Sequence, residues 1–314
     1  MASESAAIEL PGITVRKFVR GEETRFIDIL DEAYGHLLDS QRVRDVLASD
    51  RFSPEGSFIA EEGNARVGCV AVTSLPKARW FVLRYLAATH GSRRLEITKL
   101  LLDKAIRYMK ARNAESYRAT GPAIQPYVGV YKDFGFEPIR VDLRVRWDLD
   151  LLEEEPSSLS LAEVTVDNVD EAGEVFVEAN SPYWDWRTEE EGGATKLAGW
   201  FKKGVKQGQR WMFASVGGKT IGLAGLVPNY YSGGEAWFRG AFILPEFRGK
   251  GFGLTLMNDI MRVARQMGQR RMTVQTFSHL DSLAPGALLY LRSGGTIDAE
   301  YLQMQGRRQF EQSC

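Results

Sequence analysis

Residues 244–253 read LPEFRGKGFG, and a long amphipathic stretch follows them. The segment places Arg248, Gly251 and Gly253 at a turn between a predicted strand over 235–244 and a predicted helix over 252–267. A turn of that kind leaves several backbone N–H groups unpaired at a helix N-terminus. Such a nest binds anions, phosphate above all, because the donors have no partner and the helix dipole favours negative charge. Glycine is needed where the backbone turns with positive φ or must approach a ligand closely. Taken alone, the turn also fits a plain helix entry or another nucleotide loop. It is not a P-loop, since no G-x-x-x-x-G-K-[ST] is present. No acidic residue ends a second strand about 20 residues on, where a dinucleotide's ribose would need one.

The surroundings narrow these readings. A strand ending in Ile243, Leu244 and Pro245 precedes the turn, and the following helix ends near Gly268. Met272–Thr276 then reads as a strand, and Ala287, Leu288, Leu289 and Tyr290 as a short helix before Gly294 and Gly295. This order over residues 205–300 resembles the GCN5-related N-acetyltransferase (GNAT) superfamily. Its core reads V-x-P-x-x-[RQ]-x-x-G-x-G and then, after a helix and a strand, A-x-x-x-Y-x-x-x-G-F. The sequence departs from that pattern at Gly295, where the family has Phe, and at Ala284, where an Asn is common.

At 314 residues the chain is long enough for two domains. A hydrophobic content of 44% with 26% charged residues is that of a globular protein. The net charge of −1 argues against nucleic acid or an anionic membrane as the main partner. Cys69 lies in an apolar strand pattern and Cys314 is the last residue, so no disulfide framework is expected. That usage, with no basic-then-apolar leader after Met1-Ala2-Ser3-Glu4 and no long apolar run, leads us to expect a cytoplasmic protein.

The same plan is legible twice, on either side of an acidic, proline-containing stretch at 150–160. In the first half Ile13–Arg16 is a short strand, and Phe26, Ile29, Leu30 and Ala33 give a helix over about 22–34. Runs at 57–60 and 67–72 flank Glu62-Gly63-Asn64 as a hairpin. A strand over 80–87 and a helix over 97–111 follow, and then Tyr131-Lys132-Asp133-Phe134-Gly135-Phe136, the family's Y-x-x-x-G-F. In the second half a strand remnant and a helix occupy 164–180, and runs at 211–216 and 220–227 flank Gly217-Gly218. Ile97 aligns with Leu254 (254 − 97 = 157) and Tyr131 with Tyr290 (290 − 131 = 159), a drift of two residues. Internal repetition is the natural reading. We therefore expect an α/β (α+β) chain of two tandem GNAT-like domains, 1–150 and 151–314, each a mixed, mostly antiparallel sheet flanked by helices. The two-copy layout is similar to that of mycothiol synthase, in which one half is catalytic.

Under this register Gly251 aligns with Arg94 and Gly253 with Glu96, so the first turn reads HGSRRLE over 90–96. Side chains there obstruct close backbone approach, and the Glu96 carboxylate repels phosphate. Phosphate binding by the Arg93 and Arg94 side chains is the alternative. The favoured expectation is a degenerate, non-catalytic first half and a catalytic second half.

The resemblance implies acetyl-CoA as co-substrate, with no metal. Its pyrophosphate would lie on the backbone of Arg248, Gly249, Lys250, Gly251, Phe252, Gly253 and Leu254, with Arg248 and Lys250 as nearby cations. Its pantetheine arm would pair with the end of the fourth strand, here Phe242, Ile243 and Leu244. Tyr290 matches the family tyrosine whose hydroxyl reaches the CoA sulfur, as acid for the leaving thiolate. The family's base glutamate falls at Trp237 (248 − 11 = 237), and Glu235 lies two residues earlier on the same strand face, about 6.8 Å away. A bulge near Gly240 would shift this register. Glu235 is the leading candidate base, His279 with Asp281 nearby is the other, and many members use none. The acceptor, a small-molecule or peptide amine, would meet the segment 181–191. There Tyr183, Trp184 and Trp186 form a cage for a cationic amine or simply pack, and the acids attract an amine or are solvated. A non-catalytic acyl-CoA-binding or sensing protein is the alternative function.

Overall fold

The computed structural model describes residues 8–75, 79–124, 127–153, 156–181 and 193–306. Met1 to Glu4, the aromatic and acidic segment 182–191, and Cys314 lie outside the described residues. The chain forms two compact units. The first comprises Met1–Leu143, Phe277–Ser282 and Ala299–Cys314, and the second Arg144–Thr276 and Leu283–Asp298.

The first half runs β1 (Ile13–Lys17), α1 (Glu23–Tyr34), α2 (Ser40–Ala48), β2 (Phe58–Glu62), β3 (Ala65–Leu75), β4 (Trp80–Ala88), α3 (Arg94–Ala111), β5 (Ser116–Pro122), α4 (Tyr127–Asp133) and β6 (Phe136–Asp148). The second half repeats the order with β7 (Ser160–Glu163), α5 (Val169–Asn180), α6 (Gly193–Lys206), β8 (Arg210–Val216), β9 (Lys219–Tyr231), β10 (Glu235–Ile243), α7 (Phe252–Gln266), β11 (Arg271–Ser278), α8 (Pro285–Arg292) and β12 (Thr296–Gly306). Each expected hairpin, strand and helix named above is present within a few residues. Gly63 at φ 58° and the pair Gly217 and Gly218 at 57° and 79° supply the left-handed backbone of the two tight hairpins.

In the first unit β1 to β4 pair antiparallel in sequence order, β4 pairs parallel with β5, and β5 pairs antiparallel with the C-terminal end of β12, Tyr301 opposite Pro122. In the second unit β7 to β10 are likewise antiparallel, β10 pairs parallel with β11, and β6 lies next to β11. Each half's sixth strand therefore ends in the unit built by the other half. For this reason the units do not follow the expected division at residues 150 and 151: strand pairing, not chain order, decides which residues are compact together.

Alternation along the strands separates two cores in the first unit. Val70, Val72, Phe81 and Leu83 face a cluster with Leu101, Ala105 and Met109 of α3. Cys69, Ala71 and Ala87 face Phe26, Leu30, Val43 and Leu47 of α1 and α2. Along β4 the α3-facing set runs 81, 83 and then 86, 88, so the alternation slips by one residue at a bulge. Tyr85 takes up the slip with φ 54°. The second unit repeats this at Gly240, φ 125°, where the β10–β9 register shifts. That is the bulge expected there. Trp211, Phe213, Leu223 and Phe201 centre its core. Cys69 is fully buried and burial pushes its thiol pKa up, as suits a small core residue.

Candidate active site

The glycine turn of the second unit has the geometry its sequence predicts. After β10, Pro245–Phe247 make one 3₁₀ turn, Gly249 has φ 73°, and Gly251 at φ 87° caps α7 from the left-handed region. An L side chain is strained at both glycines. Among the described residues the backbone N–H groups of Gly249, Lys250, Gly251, Phe252 and Gly253 have no hydrogen-bond acceptor. The free stretch is shorter than the seven residues expected. Arg248 N–H closes the 3₁₀ turn on Pro245 O at 3.2 Å, and Leu254 N–H bonds Gly251 O at 3.0 Å. Concentrated unpaired donors at the start of a fifteen-residue helix make an anion seat.

The two cations differ. Lys250 is exposed, with its ammonium 5.5 Å from the centre of the Phe247 ring. The Arg248 guanidinium instead turns inward, donating to Ile243 O at 3.0 Å, Ala179 O at 2.7 Å and Ser181 O at 3.4 Å. It ties the turn to the last strand residue before it and to the C-terminal end of α5, whose carbonyls have no helical partner.

Beside the turn the sheet opens. β10 and β11 pair only from Glu235 to Trp237 with Arg271 to Thr273, although both strands continue. Phe242 and Ile243 lie in the diverging part, on a strand still held by β9 on its other edge. Leu244, just past the strand, anchors there by bonding Ile221 O. Tyr290 of α8 enters at this place. Its ring is buried between Trp147 and Phe238, 5.7 and 5.8 Å between centroids, and its hydroxyl meets the backbone of Ala241. Burial pushes its pKa up to about 12, so it is a neutral hydrogen-bond donor at neutral pH.

The structure does not bring Glu235 to this place. Six residues, about 20 Å of strand, separate it from Ala241. Its buried carboxylate accepts from Thr273 Oγ1 at 2.5 Å and pairs with Arg146 at 3.4 Å and Arg271 at 3.3 Å. His279 is exposed in a loop that clusters with the first unit, its N–H on Ser282 O, and Asp281 accepts from Ser282. On the α6 side of β10, Arg239 lies over the Trp200 and Trp237 rings at 4.7 and 4.4 Å, with Tyr230 4.7 Å from Trp237. The sequence reading missed Arg239, which only its i, i+2 relation to Trp237 would have marked. It also missed Trp147, which sits 143 residues from the tyrosine it packs (290 − 147 = 143).

The first unit opens in the same way, since β4 and β5 pair only from Trp80 to Arg84 with Ser116 to Thr120. There the strand end is occupied by the protein's own side chains. The Tyr34 hydroxyl donates to Leu86 O, and the Tyr127 hydroxyl donates to Ala88 O at 3.2 Å while accepting from Ala88 N–H at 3.3 Å. Arg94 lies over the Tyr127 ring at 4.8 Å and bonds its hydroxyl, His90 and Ala33 O. Arg93, at φ −98°, pairs with Glu62 and Glu96 and donates to Pro11 O. Tyr131, the family-motif tyrosine, is buried with a hydroxyl that has no hydrogen-bond partner among the described residues.

The acetyltransferase (GNAT) family model matches the chain twice, over residues 24–136 and 172–284. The chain belongs to the acetyltransferase (GNAT) family. This tandem GNAT protein is similar in fold to a GCN5-related N-acetyltransferase from Sphaerobacter thermophilus, with a TM-score of 0.69, 16% identity, and 94% of this chain and 96% of that one covered. It is similar also to a tandem GNAT protein from the clavulanic acid biosynthesis pathway, with a TM-score of 0.65, 17% identity, and 94% and 98% covered. A putative acetyltransferase from Pyrococcus horikoshii has a TM-score of 0.57 at 12% identity, with 100% and 95% covered. No curated protein sequence matches the chain. Among the described residues no helix is long and apolar enough to cross a membrane, and no group of three or more His, Cys, Asp or Glu is placed to hold a metal ion.

Proposed function

We propose that the second unit transfers the acetyl group of acetyl-CoA to a primary amine by direct attack. One observation carries the reading: the unpaired N–H groups from Gly249 to Gly253 adjoin the diverging end of β10, where the Tyr290 hydroxyl sits. The turn seats the pyrophosphate, with Lys250 as the free-standing cation. The exposed edge at Phe242, Ile243 and Leu244 takes the amide-rich arm. The amine nitrogen attacks the thioester carbonyl carbon, and backbone N–H groups of β10 stabilise the oxyanion. The C–S bond breaks, Tyr290 gives its proton to the sulfur, and the amine's proton passes through water to restore the Tyr290 phenol. Acetyl amide and free CoA result.

Glu235 holds the paired end of β10 and β11 in this reading and is not the base; His279 has no part. The first unit is non-catalytic, because Tyr34, Tyr127 and Arg94 use the groups an acyl-CoA would need. The acceptor approaches from the Trp200, Trp237 and Arg239 side. Calorimetry with acetyl-CoA is expected to give one site per chain, lost in Gly251→Glu. Two sites would overturn the assignment of the first unit, and unaltered binding by Gly251→Glu would overturn the site itself. Thiol release over an amine library then tests transfer; binding without turnover on any amine would favour a non-catalytic acyl-CoA sensor.

A further inference from the structure

Arg84 and Tyr85 are consecutive, yet both side chains emerge on the α1 and α2 face of the first unit. The β4 bulge is the cause: Leu83 and Leu86 face α3, so the two residues between them share the opposite face. Arg84 is the last β4 residue paired with β5, opposite Thr120, so the pair sits where the strands part. Arg84 Nε donates to Thr73 Oγ1 at 3.2 Å. Among the described residues neither its Nη atoms nor the Tyr85 hydroxyl has a hydrogen-bond or ion-pair partner. Both side chains are half-buried and keep some accessible surface. Burial lowers the Arg84 pKa and raises that of Tyr85.

Charges of both signs lie around the pair. Arg42 of α2 and Arg51 act on Arg84 from nearby. The acid acting on Arg84, Asp142, is taken by Arg140 at 2.9 Å and Gln303 at 2.7 Å. Near Tyr85, Asp39 caps α2 by accepting from Arg42 N–H at 3.0 Å, and Asp45 accepts from Gln41 at 3.1 Å. A half-buried guanidinium whose Nη groups lack an acceptor is costly, and a left-handed tyrosine adds to the cost. Both costs are offset when an anion takes the two Nη groups in a fork and the phenol as a third donor.

We propose that Arg84 and Tyr85 form a binding site in the first unit for the carboxylate or phosphate group of a small molecule. The site goes beyond acetyl transfer and does not depend on it. It gives the non-catalytic unit a ligand of its own.

The test is calorimetry on the full chain with inorganic phosphate, succinate and acetate, each titrated separately at millimolar concentration. At least one is expected to bind at a site that Arg84→Gln weakens about tenfold to a hundredfold. Tyr85→Phe is expected to weaken it a few-fold, and Gly251→Glu to leave it unchanged. Preference for phosphate or for a carboxylate then identifies the group. The site is overturned if none of the three binds, if Arg84→Gln and Tyr85→Phe both bind like wild type, or if only Gly251→Glu abolishes binding. Should Arg84→Gln fail to fold, Tyr85→Phe and Arg42→Gln carry the test, and unchanged binding in both overturns it. Acetyl-CoA titrated into the same variants reads the second unit separately.

Discussion

Arg248 donates a 2.7 Å hydrogen bond to the carbonyl of Ala179, the penultimate residue of α5. The first unit repeats the relationship. Arg94 donates at 3.3 Å to the carbonyl of Ala33, the penultimate residue of α1. An arginine ties the turn to the first helix in both units, from positions that do not align (Arg248 aligns with Gly91, Arg94 with Gly251), while the left-handed glycines are present in one. The two turns thus share a structural clamp and differ in the anion seat.

The clamp makes Arg248 a positioning residue. Arg248→Lys keeps the charge but cannot span three carbonyls with one fork. We expect acetyl-CoA affinity to fall about tenfold while Lys250→Gln, which removes an exposed cation, costs less. Calorimetry on the two variants checks the order. Unaltered affinity in Arg248→Lys would mean that Arg248 acts only through its charge.

The two glycines of the turn are expected to behave differently. Gly251→Ala places a side chain at φ 87°, costing about 1 kcal/mol of stability from backbone strain alone, since an added Cβ there meets nothing within 4 Å. Gly253 is helical, and an added Cβ would meet Leu289 at an ordinary 3.5 Å. Gly253→Ala should leave stability unchanged or raise it by about 0.5 kcal/mol. Thermal unfolding measures both, and ligand-free protein separates backbone strain from lost binding.

Removing the Tyr290 hydroxyl should lower kcat by roughly a hundredfold with the acetyl-CoA dissociation constant little altered. Since burial holds this tyrosine at about 12, no ionisation of it should shape the rate between neutral pH and about pH 9. Rate profiles of wild type and Tyr290→Phe with one amine test this. A basic limb abolished by the substitution would count against it.

Glu235 anchors a charge network. Its partner Arg146 also pairs with Asp298 at 2.8 Å, and Asp298 pairs with Arg144 at 2.8 Å. Glu235→Gln leaves Arg146 with Asp298 alone and the half-exposed Arg271 without its acid, and should cost about 1 kcal/mol of stability. The pH dependence of kcat/KM in the folded fraction should not move. A flattened acid limb with unchanged stability would restore Glu235 as the base.

Alkaline pH should destabilise the protein before it affects any surface group of the site. Tyr34, Tyr85, Tyr131 and Tyr290 are all raised above the ordinary 10.0 by burial, and Cys69 above 9.0. The folded state keeps these protons while the unfolded chain releases them, so stability is intact below about pH 9 and declines as pH rises past 10. Denaturant midpoints across that range check the sign, and phenolate absorbance of these residues should appear only with unfolding.

The local structure was legible because local chemistry decides it. Apolar spacing gives α1 and α3, glycine pairs give the hairpins, and positive φ explains why Gly249 and Gly251 have no side chain. The Tyr131 and Tyr290 motifs pointed correctly to α4 and α8. The motif did not reveal that Tyr127 and Tyr34, which belong to no pattern, occupy the strand end in the first unit. Nor did Arg248 in the sequence reveal whether its guanidinium faced solvent or three carbonyls.

The sequence by itself therefore determined the two-fold plan, the family and the conformation of the glycine turn, since these follow from periodicity and from which residues tolerate a left-handed backbone. Only the tertiary structure decided which donors stay unpaired and which strand completes which sheet. Hydrogen-bond partners are spatial neighbours: Trp147 reaches Tyr290 through an exchanged strand, and Tyr127 reaches Ala88 across a fold. The same bulge that carries Gly240 in one unit carries Tyr85 in the other, and what surrounds it determines whether it borders the proposed acetyl-transfer site or a half-buried arginine.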